Sequence, residues 1–217
     1  MEAAQNLFDQ IWNDYIQQNP EVKKIFDLFI DIGEQVANDH IAFRTFNDPK
    51  VNIDVLSSAF LKVGYKYKGE YHFKEKHLYA RHFELEQFKD APRVFISELK
   101  LEEMSYELQV IAKDLINRIP ASILQSPDFL LSGNSWGKPS YKIYELLRNE
   151  SEYAAWLYVF GFRANHFTVS INALKQFDNI EKVNQLLKES GFALNSAGGE
   201  IKGTPAELLE QSSTKAS

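Results

Sequence analysis

Two short stretches place a histidine at the mouth of an apolar run: Asp39-His40-Ile41-Ala42-Phe43-Arg44 and Asn165-His166-Phe167-Thr168-Val169-Ser170. In an extended strand successive side chains alternate faces, so His40, Ala42 and Arg44 share one side, and His166, Thr168 and Ser170 share one side of the other. Ile41, Phe43, Phe167 and Val169 then face a core. Two such strands can bring their imidazoles to a single metal ion, and two histidines plus one carboxylate form the facial set that non-haem iron(II) oxygenases use. Arg44, on the face of His40, offers a planar fork for a substrate carboxylate. The plainer readings are two hydrogen-bonded core histidines and an arginine in a salt bridge.

The other candidates carry less. Glu98 lies in the apolar strand Val94-Phe95-Ile96-Ser97-Glu98-Leu99, where it is a substitute metal ligand, a group that orients a ligating histidine, or half of an ion pair. His82, in Tyr79-Ala80-Arg81-His82-Phe83-Glu84, is a candidate to face the same pocket. His72 and His77 fall in a charged stretch that reads as an exposed hairpin. The sequence has no Ser-His-Asp order, phosphate-binding glycine loop or zinc-protease motif.

Composition narrows the chemistry further. The 217 residues contain no cysteine, which excludes disulfides, zinc-thiolate sites and iron-sulfur clusters and leaves His, Asp and Glu as metal ligands. A net charge of -6, from 30 acidic and 24 basic residues spread along the chain, argues against nucleic acid as a partner. The longest apolar run, Tyr153 to Phe162, has about half the roughly 20 residues of a membrane span, and the N-terminus lacks a signal sequence. These features predict a soluble, cytoplasmic protein with no membrane partner.

The elements that must position the histidines follow from periodicity. Residues 1–38 read as a helical N-terminal cover of two helices, with Leu7, Phe8, Ile11, Trp12 and Tyr15 on one stripe and Pro20 opening the second. Residues 39–101 read as a β-α-β-β-β module: a strand from His40, a helix through Leu56 and Phe60 to Gly64, and strands near 65–73, 78–85 and 93–101. Residues 102–163 form a helical insertion, ending in a buried helix Glu152–Phe160, with no evident chemistry. Residues 164–217 repeat the opening of the first module, with a strand at 165–171, a helix at about 175–189 and a further strand from Gly191. Gly64 follows His40 by 24 residues and Gly191 follows His166 by 25, a shared interval that indicates duplicated units. Thr204-Pro205-Ala206-Glu207 matches a capping box and predicts a short helix over Pro205–Gln211. The position equivalent to Glu98 falls beyond Ser217, so the second module is expected to be incomplete here.

Four stretches together resemble the 2-oxoadipate dioxygenase/decarboxylase family: Asp39 to Phe46, Pro92 to Leu99, Asn165 to Thr168, and Ile201 to Pro205 continued by Leu209 to Thr214. The match runs from about residue 5 to the end of the chain. The resemblance implies an α+β fold of paired βαβββ vicinal-oxygen-chelate modules. It implies Fe(2+) as cofactor, His40 and His166 as metal ligands, and Arg44 as the contact to substrate carboxylate. The implied reaction takes 2-oxoadipate and dioxygen to 2-hydroxyglutarate, a step of lysine catabolism. The family's third ligand is a glutamate in the last strand of the second module, a position expected beyond Ser217. Glu98, its counterpart in the first module, and His82 are retained as supporting or substitute groups. With two imidazoles and no carboxylate, iron(II) would be held poorly, and the chain as given would then be inactive. Two alternatives accompany this reading: another vicinal-oxygen-chelate metalloenzyme, a glyoxalase-like isomerase or hydrolase with Glu98 in a closed four-ligand set, and a non-catalytic binding member.

Overall fold

The computed structural model describes residues 2–88, 90–126, 128–204 and 209–215. The helices are α1 (Glu2–Gln18), α2 (Pro20–Asp31), α3 (Ile53–Lys62), α4 (Tyr106–Arg118), α5 (Ala121–Leu124), α6 (Tyr141–Glu150), α7 (Glu152–Phe160) and α8 (Ile180–Glu189). The strands are β1 (Asn38–Phe46), β2 (Lys66–Phe73), β3 (Leu78–Glu84), β4 (Arg93–Leu99), β5 (Ala164–Val169), β6 (Lys202–Thr204) and β7 (Leu209–Gln211). They fall into two compact units. One comprises residues 1–19 and 38–168, the other residues 20–37 and 169–217.

The first unit is built on a five-stranded sheet of order β2-β3-β4-β1-β5. The predicted β-α-β-β-β sequence is present as β1, α3, β2, β3 and β4. β1 runs parallel to β4, with His40 opposite Arg93, Ala42 opposite Phe95 and Arg44 opposite Ser97. β3 is antiparallel to both β2 and β4. Alternation divides the sheet into two faces. Ile41, Phe43, Val94 and Ile96 lie on one face and are almost wholly buried. There Phe43 packs on Phe60 of α3 at 5.4 Å between ring centroids, and Phe60 on Phe8 of α1 at 6.1 Å. Each such ring contributes about 1.5–3 kcal/mol by leaving water, and together they fix the register that puts His40, Ala42 and Arg44 on the opposite face. Asn52 caps α3 by accepting from the Val55 N–H at 3.1 Å, and Gly64, at φ 101°, ends it.

α7 crosses the far end of this sheet. Ser151 accepts from the Ala154 N–H at 3.2 Å to start it. It ends at Gly161, whose φ of 68° suits only glycine without strain. Gly161 also lies against the loop around Gly133: Gly133 and Phe162 exchange two backbone hydrogen bonds, at 3.3 and 3.1 Å. At the N-terminal end, the Tyr153 hydroxyl donates to the Ser97 carbonyl at 2.6 Å and accepts from the Thr45 N–H at 3.0 Å. α7 is thereby tied to β1 and β4 next to Arg44.

In the second unit α2 and α8 pack through Phe29, Leu174, Val183 and Leu187. Buried Glu34 accepts from the backbone N–H groups of Lys175 and Gln176 at 2.8 and 2.6 Å, so residues 175–179 turn around a carboxylate instead of joining α8. The strand expected from Gly191 is reduced to one bridge, Leu194 to Thr214; Gly198 and Gly199, both at positive φ, turn the chain where a strand would have to extend. The helix predicted over Pro205–Gln211 is also corrected: Leu209–Gln211 pairs with β6 as strand β7. The Pro205–Leu208 part of that prediction lies outside the described residues. Among the described residues no helix is long and apolar enough to cross a membrane.

The Gly161–Gly133 contact sets up a stability comparison. A Cβ on Gly161 would stand 1.9 Å from the Gly133 carbonyl oxygen, whereas one on Gly137, at φ 105°, meets nothing within 4 Å. Gly137→Ala therefore costs only backbone strain, about 1–2 kcal/mol, and Gly161→Ala costs more, about 3 kcal/mol or above. Urea unfolding of the two variants measures the difference, and equal costs would remove the close approach from the description of how α7 is anchored.

Candidate functional site

The pairing of β1 with β5 brings the two predicted histidines face to face. His40 Nε2 lies 3.3 Å from His166 Nε2. Each ring is held from behind by the residue before it: His40 Nδ1 is 2.9 Å from Asp39 Oδ2, and His166 Nδ1 is 3.0 Å from Asn165 Oδ1. Both partners are acceptors only, so the ring proton belongs on Nδ1 in each case. Neither Nε2 then carries a proton, and two lone pairs point at one another. This arrangement is repulsive by itself, and a cation or a proton placed between the two rings relieves it. Two nitrogens about 2.1 Å from one ion and at roughly right angles sit close to 3 Å apart, so the observed separation suits a pair of adjacent ligands. Thr168 fixes the strands at this point, accepting from the His40 N–H and donating to the His40 carbonyl, both at 2.9 Å.

Charge supports the same use of the pair. Burial, then the neighbouring His40 and then Arg44, push the His166 imidazole down from 6.5 to about 4. It is neutral at physiological pH and available as a ligand. The hydrogen bond from His40, with a further contribution from the Arg93 guanidinium, keeps the Asp39 carboxyl below the usual carboxylate range against the opposing effect of its partial burial.

Arg44 sits on the face of His40, as the alternation predicts, held between two aromatic rings. Its guanidinium carbon is 4.9 Å from the ring centroid of Tyr153 and 4.9 Å from that of Trp156. The rings stabilise the cation through their faces and leave its edge, with the N–H donors, free to meet an anion. Burial is the main influence on the group and lowers its pKa, while Tyr153 and Glu152 oppose that effect. Among the described residues no carboxylate forms an ion pair with it. A half-buried guanidinium set against two rings and without an ion pair among the described residues has N–H donors suited to a carboxylate. Tyr153 and Trp156 are functional residues that sequence reasoning missed, having assigned no chemistry to the insertion. Their signal is present in α7, where Tyr153, Trp156 and Phe160 fall on one helical face.

Glu98 requires correction. It pairs with Thr45 in the β1–β4 register and so points to the face opposite His40 and Arg44. There it accepts from the Ile53 N–H at the start of α3, 3.1 Å away, a helix N-terminus being the natural place for an anion. It neither substitutes for a metal ligand nor orients one. His82 does face the same side as His40, but Phe95 stands between them. The His40 and Phe95 centroids are 5.1 Å apart, and those of Phe95 and His82 5.2 Å. His72 and His77 are exposed, the latter bonded to Glu103 at 2.8 Å. Among the described residues no cluster of three or more His, Asp or Glu side chains could hold a metal ion.

Comparison with known proteins identifies the family to which the chain belongs. The family profile described as 2-oxoadipate dioxygenase/decarboxylase matches residues 3–126 and 128–217. The chloroplastic 2-oxoadipate dioxygenase/decarboxylase of Arabidopsis thaliana is 36% identical, over 99% of this chain and 62% of its own length. The chain spans about three fifths of the length of the curated relatives it matches. A crystal structure from Shewanella frigidimarina, of a protein provisionally named a hydrolase, is 48% identical with a TM-score of 0.93, covering 99% of this chain and 83% of its own. The hydroxyglutarate synthase of Oryza sativa, solved in complex with 2-oxoadipate, is 34% identical with a TM-score of 0.90, covering 99% and 73%. A profile match over nearly all of the sequence, with relatives over a third identical across it, places the chain in the 2-oxoadipate dioxygenase/decarboxylase family.

Proposed function

We propose that this protein is a non-haem iron(II) dioxygenase and decarboxylase acting on a 2-oxo dicarboxylic acid of the 2-oxoadipate type. The observation that carries the proposal is the convergence of two imidazole Nε2 atoms at 3.3 Å, each ring's Nδ1 facing an oxygen acceptor, a distance and donor type that fit a borderline divalent ion such as Fe(2+). Arg44 supports it, placed four residues along the same strand on the same face and offering a guanidinium with no ion pair among the described residues. The rice relative's complex with 2-oxoadipate supports the choice of substrate class.

The proposed reaction balances with one molecule of dioxygen. Cleavage of the bond between C1 and C2 releases carbon dioxide, and C2 becomes a carboxylate with one oxygen atom. The second oxygen enters a C–H bond next to a carboxylate and gives 2-hydroxyglutarate. The two oxidations supply the four electrons that dioxygen takes. Bound iron(II) would supply the meeting point for oxo acid and dioxygen and the one-electron steps.

This chain's own residues do the rest. His40 and His166 would hold the metal, with Asp39 and Asn165 keeping their Nε2 lone pairs turned toward it. Arg44, clamped by Tyr153 and Trp156, binds a substrate carboxylate and sets the chain's direction from the metal. The third ligand, a glutamate in the family pattern, is assigned to no residue here. The closed four-ligand site that a hydrolase or isomerase reading would build with Glu98 is not supported, because Glu98 serves α3 on the other face.

Anaerobic iron(II) loading followed by oxygen consumption with 2-oxoadipate tests the reading. The expected result is substrate-dependent uptake that His40→Ala and His166→Ala abolish together with bound iron. Arg44→Gln should keep iron and raise KM by about 10- to 100-fold, the value of a charged hydrogen-bonded contact. Unchanged iron content in both histidine variants would refute the metal site.

A second expectation concerns pH. An unfolded imidazole titrates near 6.5, and His166 in the folded protein near 4. Between these values the unfolded chain binds a proton that the folded one does not. The contribution is therefore complete above pH 6.5 and is lost as pH falls toward 4, amounting to about 3 kcal/mol. Urea denaturation of the metal-free protein across this range should show that loss, and His166→Gln should flatten it; equal pH slopes would show that His166 is not held neutral.

A further inference from the structure

Behind His40 a continuous polar chain runs across the sheet. Asp39 divides its carboxylate, with Oδ2 toward His40 Nδ1 and Oδ1 3.3 Å from Arg93 Nη1. Arg93, opposite His40 in the strand register, turns its Nε to Glu84 Oε1 at 3.1 Å. The same Glu84 oxygen is 3.5 Å from His82 Nε2, and the other nitrogen of His82 meets the Tyr71 hydroxyl at 3.1 Å. Phe95, edge-on to His40 and stacked on His82, stands between the two rings. Gly69 opposite His82 makes room for that stack, since a Cβ there would lie 2.9 Å from the His82 ring.

We infer that Arg93 is a positioning residue for His40, acting through Asp39, and that Glu84 holds Arg93 in place for that task. This rests on the metal reading of the histidine pair. The side chains of Arg93, Asp39 and Glu84 are 50%, 43% and 37% exposed, and ion pairs as open as these contribute little to stability. Their geometry is specific nonetheless. Asp39 and Glu84 are two carboxylates brought together around one cation, and only a guanidinium can address both with separate nitrogens. With Arg93 in place, one oxygen of Asp39 is fixed and the other has a single orientation toward Nδ1, which sets both the ring's rotation and its tautomer. Among the described residues His166 has no such chain behind it, its Nδ1 meeting the neutral amide of Asn165. His40 is thus the charge-backed ligand of the pair and the stronger donor.

The test uses cobalt(II) as probe, with affinity from chelator competition on the purified protein, and nitrogen-proton NMR of the imidazoles in the metal-free protein. Arg93→Ala should weaken cobalt binding by about 10-fold or more and remove the slowly exchanging His40 Nδ1 proton while leaving that of His166. Arg93→Lys should recover only part of each effect. A purely structural loss would disturb both histidine signals together, and that result would overturn the inference. So would an Arg93→Ala variant with parental affinity and an intact His40 signal. If that variant fails to fold, Arg93→Lys and Glu84→Gln carry the same comparison. His40→Ala separates the two layers: parental cobalt affinity in that variant defeats the metal reading itself, whereas its loss alongside an unaffected Arg93→Ala defeats only the role of Arg93.

Discussion

The site depends on one unfavourable contact: two imidazole nitrogens, each without a proton, facing each other at 3.3 Å. A pair of core histidines would relieve this by sharing a hydrogen bond, with one ring protonated at Nε2. Here the acceptors on Asp39 and Asn165 favour the ring proton at Nδ1 on each side, which works against that solution. Burial, together with the neighbouring His40 and Arg44, also keeps His166 from taking up a second proton. The proposed metal site rests on this pairing of two imidazoles, with an ion between the rings as its relief.

The fold can be understood as the means of holding that contact. The rings of Phe43, Phe60 and Phe8 on the far side of the sheet fix strand alternation, and alternation puts His40 and Arg44 on the same face. Thr168 locks β5 against β1 at the level of His40. α7, stopped at Gly161 and pinned through the Tyr153 hydroxyl, supplies two rings that hold the Arg44 guanidinium flat. The histidine pair and the Arg44 guanidinium therefore share one face of the sheet, with His40 and Arg44 four residues apart on β1.

The sequence made legible whatever depends on local pattern. The His40 and His166 strands, their alternation and the helix between Asn52 and Gly64 follow from spacing alone, and the interval shared by the two halves linked the histidines before any contact was known. The sequence could not show register. Whether Glu98 lies beside Arg44 or beside Thr45 changes its face, and pairing with Thr45 takes it out of the site. It could not show the Arg44 sandwich either, because Tyr153 and Trp156 come from a segment more than a hundred residues away, although their helical spacing marked one aromatic face. The capping-box reading of Thr204 to Glu207 failed at Leu209–Gln211, where pairing with Lys202–Thr204 prevailed over local helix preference.

The central claim is that His40 and His166 share one ion. Crystals of the protein loaded with iron(II) without oxygen, measured for anomalous scattering at the iron edge, address it directly. The prediction is a single peak within about 2.2 Å of both Nε2 atoms, at a distance typical of metal–imidazole bonds, with the two Nδ1 contacts unchanged. No peak between the rings, with iron bound elsewhere or absent, would contradict it.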